Sequence, residues 1–235
     1  MSDRPYVLLS CSMSIDGYLD AASDERLLLS NDADFDRVDE VRASCDAILV
    51  GARTVRRDNP RLMVRDQARR DARVARGLPP SPMKITVTAQ AMLDPAAAFF
   101  ATGDVEKLVY CASRRVEHAR RRLGEVATVV DGGEPVDLNW VTKDLHTRGV
   151  SRLMVEGGGT IHTQFLTADL ADELHLVVAP FFVGDSRASR FVGDGHFPFR
   201  PGRRAELAEV RQIGDVVLLR YALSPRFGSA DQGDR

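Results

Sequence analysis

The stretch with most chemical promise is Arg152-Leu153-Met154-Val155-Glu156-Gly157-Gly158-Gly159-Thr160-Ile161, where an apolar run meets three glycines and a helical period begins. Glycines have no Cβ, so a phosphate can approach the backbone there, and a helix N-terminus adds unpaired N–H donors and partial positive charge. Thr160 is expected to cap that helix. The alternative is a tight turn that needs positive φ. The segment does not follow G-x-G-x-x-G, since His162 stands where the third glycine belongs, and it falls late in the chain where a dinucleotide fingerprint falls early.

A second group repeats this pattern. The run Ala47-Ile48-Leu49-Val50 opens at Gly51 into a short helix on which Thr54 and Asp58 lie four residues apart, on one face. A hydroxyl and a carboxylate so placed can grip a ribose or an amide, or simply satisfy local backbone donors. Arg65, beyond Pro60, can meet an anion or be one more surface arginine. The third group, Ser12-Met13-Ser14-Ile15-Asp16-Gly17-Tyr18, sets small hydroxyls and an Asp-Gly turn after the first strand.

These groups need a layered scaffold. Apolar Val/Ile/Leu runs at Tyr6–Met13, Ala47–Val50, Lys84–Thr88, Lys107–Cys111, Ala127–Val130, Arg152–Val155, Glu173–Ala179 and Val216–Tyr221 predict strands. Helical periods at Asp34–Ser44, Arg115–Leu123, Asp137–Thr147 and Thr160–Leu166 alternate with them. The first runs are contiguously apolar, as in buried parallel strands, and the last two lack a helix between them, as at an antiparallel edge. Phe181–Gly202 reads as a long loop or hairpin arm, and the arginine-rich Arg65–Pro82 as a solvated excursion. One domain is expected over 1–223, with a disordered tail over 224–235.

The chain has 235 residues, 44% hydrophobic and 28% charged, with a formal net charge of -2. That is ordinary globular composition without the basic field of a nucleic-acid or anionic-membrane binder, so any anion must be held locally. The three cysteines, Cys11, Cys45 and Cys111, sit in apolar runs as free thiols of a reducing compartment would. The five histidines show neither H-E-x-x-H nor paired-cysteine spacing, so no metal site is expected. With no secretory leader or membrane-length apolar run evident, the sequence reads as cytoplasmic.

Together the motifs resemble the reductase of riboflavin biosynthesis, a dihydrofolate-reductase-like domain found alone or fused to a deaminase. Ser14-Ile15-Asp16-Gly17 matches its S-[LI]-D-G, Thr54 to Arg65 its T-x-x-x-D-[ND]-P-x-L-x-x-R, and Val155 to Thr160 its glycine-rich loop. Asp172-Glu173-Leu174 with Ala179-Pro180 and Gly184 resembles the stretch that follows. The match runs from about Tyr6 to Tyr221, and the deaminase zinc motif is missing from this sequence.

The resemblance implies an α/β, three-layer αβα fold with a mixed, mostly parallel sheet and an antiparallel C-terminal edge. It implies a free-standing, homodimeric oxidoreductase that uses NADPH to reduce 5-amino-6-(5-phosphoribosylamino)uracil or a close relative. It sets the cofactor against Ser12, Thr54, Asp58 and the loop Gly157, Gly158, Gly159, Thr160 and Ile161. It sets the substrate near Arg26, Arg42, Leu62, Arg65 and Glu156, with Asp58 and Glu156 as carboxylates for proton transfer. Leu28 and Ala89 stand where the family often carries an aromatic and a hydroxyl residue. Ser113 and Arg114 are therefore the substitute candidates for the 2′-phosphate of NADPH. Two other readings fit less of the sequence: a same-fold reductase of dihydrofolate or another pterin, and a non-catalytic nucleotide-binding or nucleic-acid-associated protein.

Overall fold

The computed structural model describes residues 3–23 and 27–228. Among the described residues nine strands make a mixed, mostly parallel sheet, and contacts divide the chain into two compact units, Met1–Pro5 with Val38–Met154 and Tyr6–Arg37 with Val155–Arg235. The helix α1 (Asp32–Ala43) and the strand β6 (Arg152–Gly157) carry the chain from one unit to the other.

In the first unit, β2 (Ala47–Gly51), β3 (Met83–Thr88), β4 (Lys107–Cys111) and β5 (Thr128–Asp131) pair in parallel in the order β5-β4-β3-β2. Contiguous apolar sequence means burial on both faces, and every residue of β2 is buried. The connections carry α2 (Ala52–Asp58), α3 (Gln67–Ala75), α4 (Ala98–Ala101), α5 (Val116–Leu123) and α6 (Leu138–Thr147). The stretch expected as a solvated excursion thus contains α3. Asp66 caps it by accepting from the Arg69 N–H, and Arg73 is buried, donating to the carbonyls of Ala43, Cys45 and Pro79. Those three acceptors compensate the buried guanidinium, which composition alone could not reveal. Lys84 is likewise wholly buried on β3, its Nζ donating to the Phe99 and Thr102 carbonyls at the end of α4. Burial pulls its pKa down to about 8.

In the second unit, β1 (Tyr6–Ser14) pairs in parallel with β7 (Glu173–Ala179), which pairs antiparallel with β9 (Val216–Ala222). The expected antiparallel edge exists, but it is completed by β8 (Glu206–Ile213), which the sequence reading missed. An edge strand exposed on both faces needs no apolar alternation, and β8 is further broken by a bulge at Leu207/Glu209. The helix α7 (Gly159–Thr167) completes this unit. Ser224–Gly228, expected as tail, form a turn in which Ser224 Oγ donates to Asp172, and residues 229–235 lie outside the described residues. Among the described residues no helix is long and apolar enough to cross a membrane. Cys45 and Cys111 are buried and Cys11 is half-buried, all as free thiols.

A buried charge network fastens β7 to β9 and α1. Glu173 Oε1 accepts from Arg220 at 2.6 Å and lies 2.7 Å from His175 Nε2, while its Oε2 accepts from Tyr6 Oη at 2.9 Å. His175 Nδ1 lies 3.1 Å from Arg37 Nη1, and its Nε2 faces both Glu173 Oε1 and, at 3.1 Å, Arg220 Nε. Burial pushes the Glu173 carboxyl up, but its bonds to His175 and Arg220 outweigh that and hold it at about 2. Burial, and then Arg37 and Arg220, keep His175 below its usual range despite Glu173.

Glu173→Gln should therefore destabilise the fold by roughly 1–3 kcal/mol, since it removes the buried charged acceptor shared by Tyr6, His175 and the half-buried Arg220, which keeps Glu209 as a partner. Because the folded-state pKa of Glu173 is depressed, its contribution is complete above the ordinary carboxylate range and is lost as pH falls toward about 2. Urea melts of wild type and variant should accordingly differ most near neutrality and converge in acid. A gap that widens on acidification would contradict this.

Candidate active site

In the second unit β6 delivers Glu156, half-buried, and then the glycine loop. Gly157 has φ +118°, open to glycine and strained for other residues. A Cβ on Gly159 would stand 2.2 Å from the Arg190 carbonyl oxygen, so only a glycine lets the 181–193 arm approach this closely. The N-cap of α7 is Gly158, with no side-chain cap, and Thr160 lies inside the helix. The expectation that Thr160 caps is thus corrected. A glycine cap leaves the first turn bare, which is the open backbone an anion needs. Ile161 turns its side chain inward, and its N–H already donates to the Gly158 carbonyl.

The arm is fastened to this loop and to the first motif. Thr163 Oγ1 accepts from the Gly193 N–H at 2.8 Å and donates to the Gly159 carbonyl at 2.7 Å. Asp16 accepts from Ser14 Oγ and from the backbone N–H groups of Val183 and Gly184, at 2.6, 3.0 and 2.8 Å. Desolvation pushes its carboxyl up, yet those three donors hold it at about 2. Ile15 N–H donates to the Phe181 carbonyl, Phe191 N–H to Gly17 and Leu19 N–H to Ser189. Arg190 lies over the Tyr18 ring and donates to its hydroxyl. The Asp-Gly turn, weak as a signal alone, is the arm's anchor; Asp16 stood in the sequence motif without this role, and Arg190 is an organising residue that sequence reasoning missed. Ser12, half-buried on β1, stands two residues ahead of this turn, opposite Val177 in the ladder.

In the first unit Thr54 is half-buried and Asp58 exposed on α2, as the spacing implied. Asn59 ends the helix in the left-handed region, and its side-chain oxygen accepts from the Ala98 N–H at 2.6 Å. Leu62 is buried with φ +48°, an uncommon conformation for a branched residue. The turn around it is fixed by Asp39, buried on α1, which accepts from the N–H groups of Arg65 and Asp66 and pairs with Arg69 at 3.1 Å and Arg65 at 3.8 Å. Arg42 donates to the Met63 carbonyl at 3.3 Å. The structure thus ties Arg65 to Asp39, and Arg42 to the Met63 carbonyl next to Leu62. The sequence offered only helical spacing for Asp39, so its role was invisible there.

Ser113 and Arg114 stand at the carboxyl ends of β4 and β5. Ser113 Oγ donates to Asp131 at 2.7 Å, and Arg114 pairs with Glu134 at 2.9 Å. Both are exposed, and both face carboxylates. Arg26 lies outside the described residues.

Comparisons agree with this architecture. Residues 5–219 match the family model for the RibD C-terminal domain. A 2,5-diamino-6-ribosylamino-4(3H)-pyrimidinone 5′-phosphate reductase from Archaeoglobus fulgidus is 34% identical over 225 residues, covering 95% of this chain and 99% of the relative. The enzyme of the same name from Methanothermobacter thermautotrophicus is 34% identical over 226 residues, covering 94% and 99%. A solved pyrimidine reductase-like protein from Corynebacterium diphtheriae superposes with a TM-score of 0.78 at 22% identity, covering 93% of this chain and 91% of that one. The last likeness speaks to fold, and it is the α/β, dihydrofolate-reductase-like fold with a mixed sheet that the sequence implied.

Gly159→Ala should force the arm off α7, with a stability loss of about 1–3 kcal/mol of the kind overpacking brings. Denaturant melts measure the loss, and hydrogen exchange at Gly193 should accelerate in parallel. Unchanged exchange there would mean that the close approach to Arg190 is not what seats the arm.

Proposed function

This chain belongs to the RibD C-terminal domain family, and from that premise we propose that it is a reductase of 2,5-diamino-6-ribosylamino-4(3H)-pyrimidinone 5′-phosphate in riboflavin biosynthesis. The observation that carries the reading is the glycine loop that leads into α7 as a cradle, whose N-cap Gly158 brings no side chain to the first turn. Such a cradle suits the diphosphate of a nicotinamide dinucleotide, because uncapped N–H donors and the helix dipole favour negative charge without a basic protein field. NADPH is the form the family resemblance implies. We further place the protein in the cytoplasm as a homodimer, for which light scattering should return twice the chain mass of 25.9 kDa.

Residues proposed to hold the dinucleotide are Ser12, Thr54, Asp58, Ser113, Arg114 and Gly157 to Ile161; those for the substrate are Arg26, Arg42, Leu62, Arg65 and Glu156. When bound, the cofactor supplies a hydride for the ribosyl C1′ of the opened substrate. Positioning alone lowers such a barrier by up to about 7–11 kcal/mol, so the chain's task is orientation and charge. Arg42 and Arg65 would receive the phosphate through charge-assisted bonds from a turn that Asp39 keeps in place. Glu156 at the end of β6 and Asp58 at the end of α2 are the carboxylates through which a proton would reach the adjoining nitrogen or oxygen.

Oxidation of NADPH should be fastest with the non-deaminated phosphoribosylaminopyrimidine, slower with the deaminated form and negligible with dihydrofolate. Faster turnover of dihydrofolate would replace this reading with a pterin reductase. Arg65→Ala should raise KM for the phosphorylated substrate roughly 10- to 100-fold with kcat nearly unchanged, as loss of one charged bond predicts. Glu156→Gln should lower kcat about 100-fold if it handles the proton, whereas a change confined to KM would limit it to binding.

A further inference from the structure

His162 is wholly buried in the first turns of α7, and among the described residues neither ring nitrogen has a hydrogen-bond partner. Such a group is uncommon, because a buried polar atom without a partner destabilises the fold and an apolar side chain of similar size would not. Its surroundings are specific. Nε2 points at the glycine loop, lying 3.1 Å from where a Cβ on Gly157 would stand, and the ring centroid is 5.5 Å from that of Phe191 on the arm. The imidazole therefore stands behind the cradle, sandwiched between the loop and the arm that encloses it. Burial holds its pKa down at about 4, so the ring is neutral near pH 7 and offers one N–H donor and one lone pair.

We propose that His162 is a positioning residue for dinucleotide binding, its ring hydrogen-bonding the backbone of the Gly157–Gly159 loop from behind when the loop takes up a diphosphate. The proposal rests on the dinucleotide reading above and adds a residue to it. Polarity at a fully enclosed position is useful only if some state of the loop turns a backbone N–H or carbonyl toward it. A purely space-filling role would instead be served better by leucine.

The test uses the full-length protein and NADPH as the probe. His162→Leu should melt at or above the wild-type temperature yet bind NADPH at least tenfold more weakly by fluorescence titration. His162→Gln, which keeps a donor and an acceptor, should bind within about threefold of wild type. In wild-type protein with ¹⁵N-labelled histidine, the ring signals assigned to His162 by their loss in the Gln variant should shift on adding NADPH. Wild-type affinity in the Leu variant, or ring signals unmoved by a saturating dinucleotide, overturns the role of His162 alone. Failure of the wild type to bind NADPH overturns the dinucleotide reading and this proposal with it.

Discussion

The organisation of the second unit hangs on one close approach between backbones, that of the Arg190 carbonyl to Gly159. No side chain fits in that space, which the arm from Phe181 to Gly193 fills with its own backbone. The Thr163 hydroxyl, linking Gly193 N–H to the Gly159 carbonyl, closes the contact with directional bonds. At its other end the same arm is held by Asp16, a carboxylate saturated by one hydroxyl and two backbone donors. The glycine loop and the Ser14–Gly17 turn, distant in sequence, thereby become parts of one hydrogen-bonded assembly.

Buried charges serve as fasteners elsewhere. Asp39 gathers the backbone of residues 65 and 66, Arg73 ties α3 to the carbonyls of Ala43 and Cys45, and Glu173 collects Tyr6, His175 and Arg220. In each case the charge is compensated by several partners, which is the condition under which burial of an ion is tolerated. His162 differs from these, an enclosed polar ring neither of whose nitrogens finds a hydrogen-bond partner among the described residues.

Strands were legible where burial on both faces demands contiguous apolar residues, as in β2, β4 and β7, whose ends the sequence reading placed within a residue. β8 was not legible, because an exposed edge strand takes its order from the β9 ladder and not from its own side chains. α3 escaped for a related reason: its charged composition reads as solvated, while the burial of Arg73 depends on acceptors some 30 residues away in the chain. Thr160 looked like a cap by type, but α7 starts one residue earlier, at Gly159, with Gly158 as its N-cap.

By itself the sequence determined the fold class, the strand–glycine–helix motifs and the family, because local period and residue type encode these directly. It named Arg65 without the Asp39 carboxylate that holds it, Arg42 without the Met63 carbonyl it reaches, and Gly157 to Gly159 without the arm packed against them. Those partners were decided by tertiary structure alone. A hydrogen bond between residues 26 apart, such as Arg65 N–H to Asp39, or 167 apart, such as Gly184's near neighbour Val183 to Asp16, leaves no periodic trace in the chain. Only the folded backbone brings such groups within bonding distance.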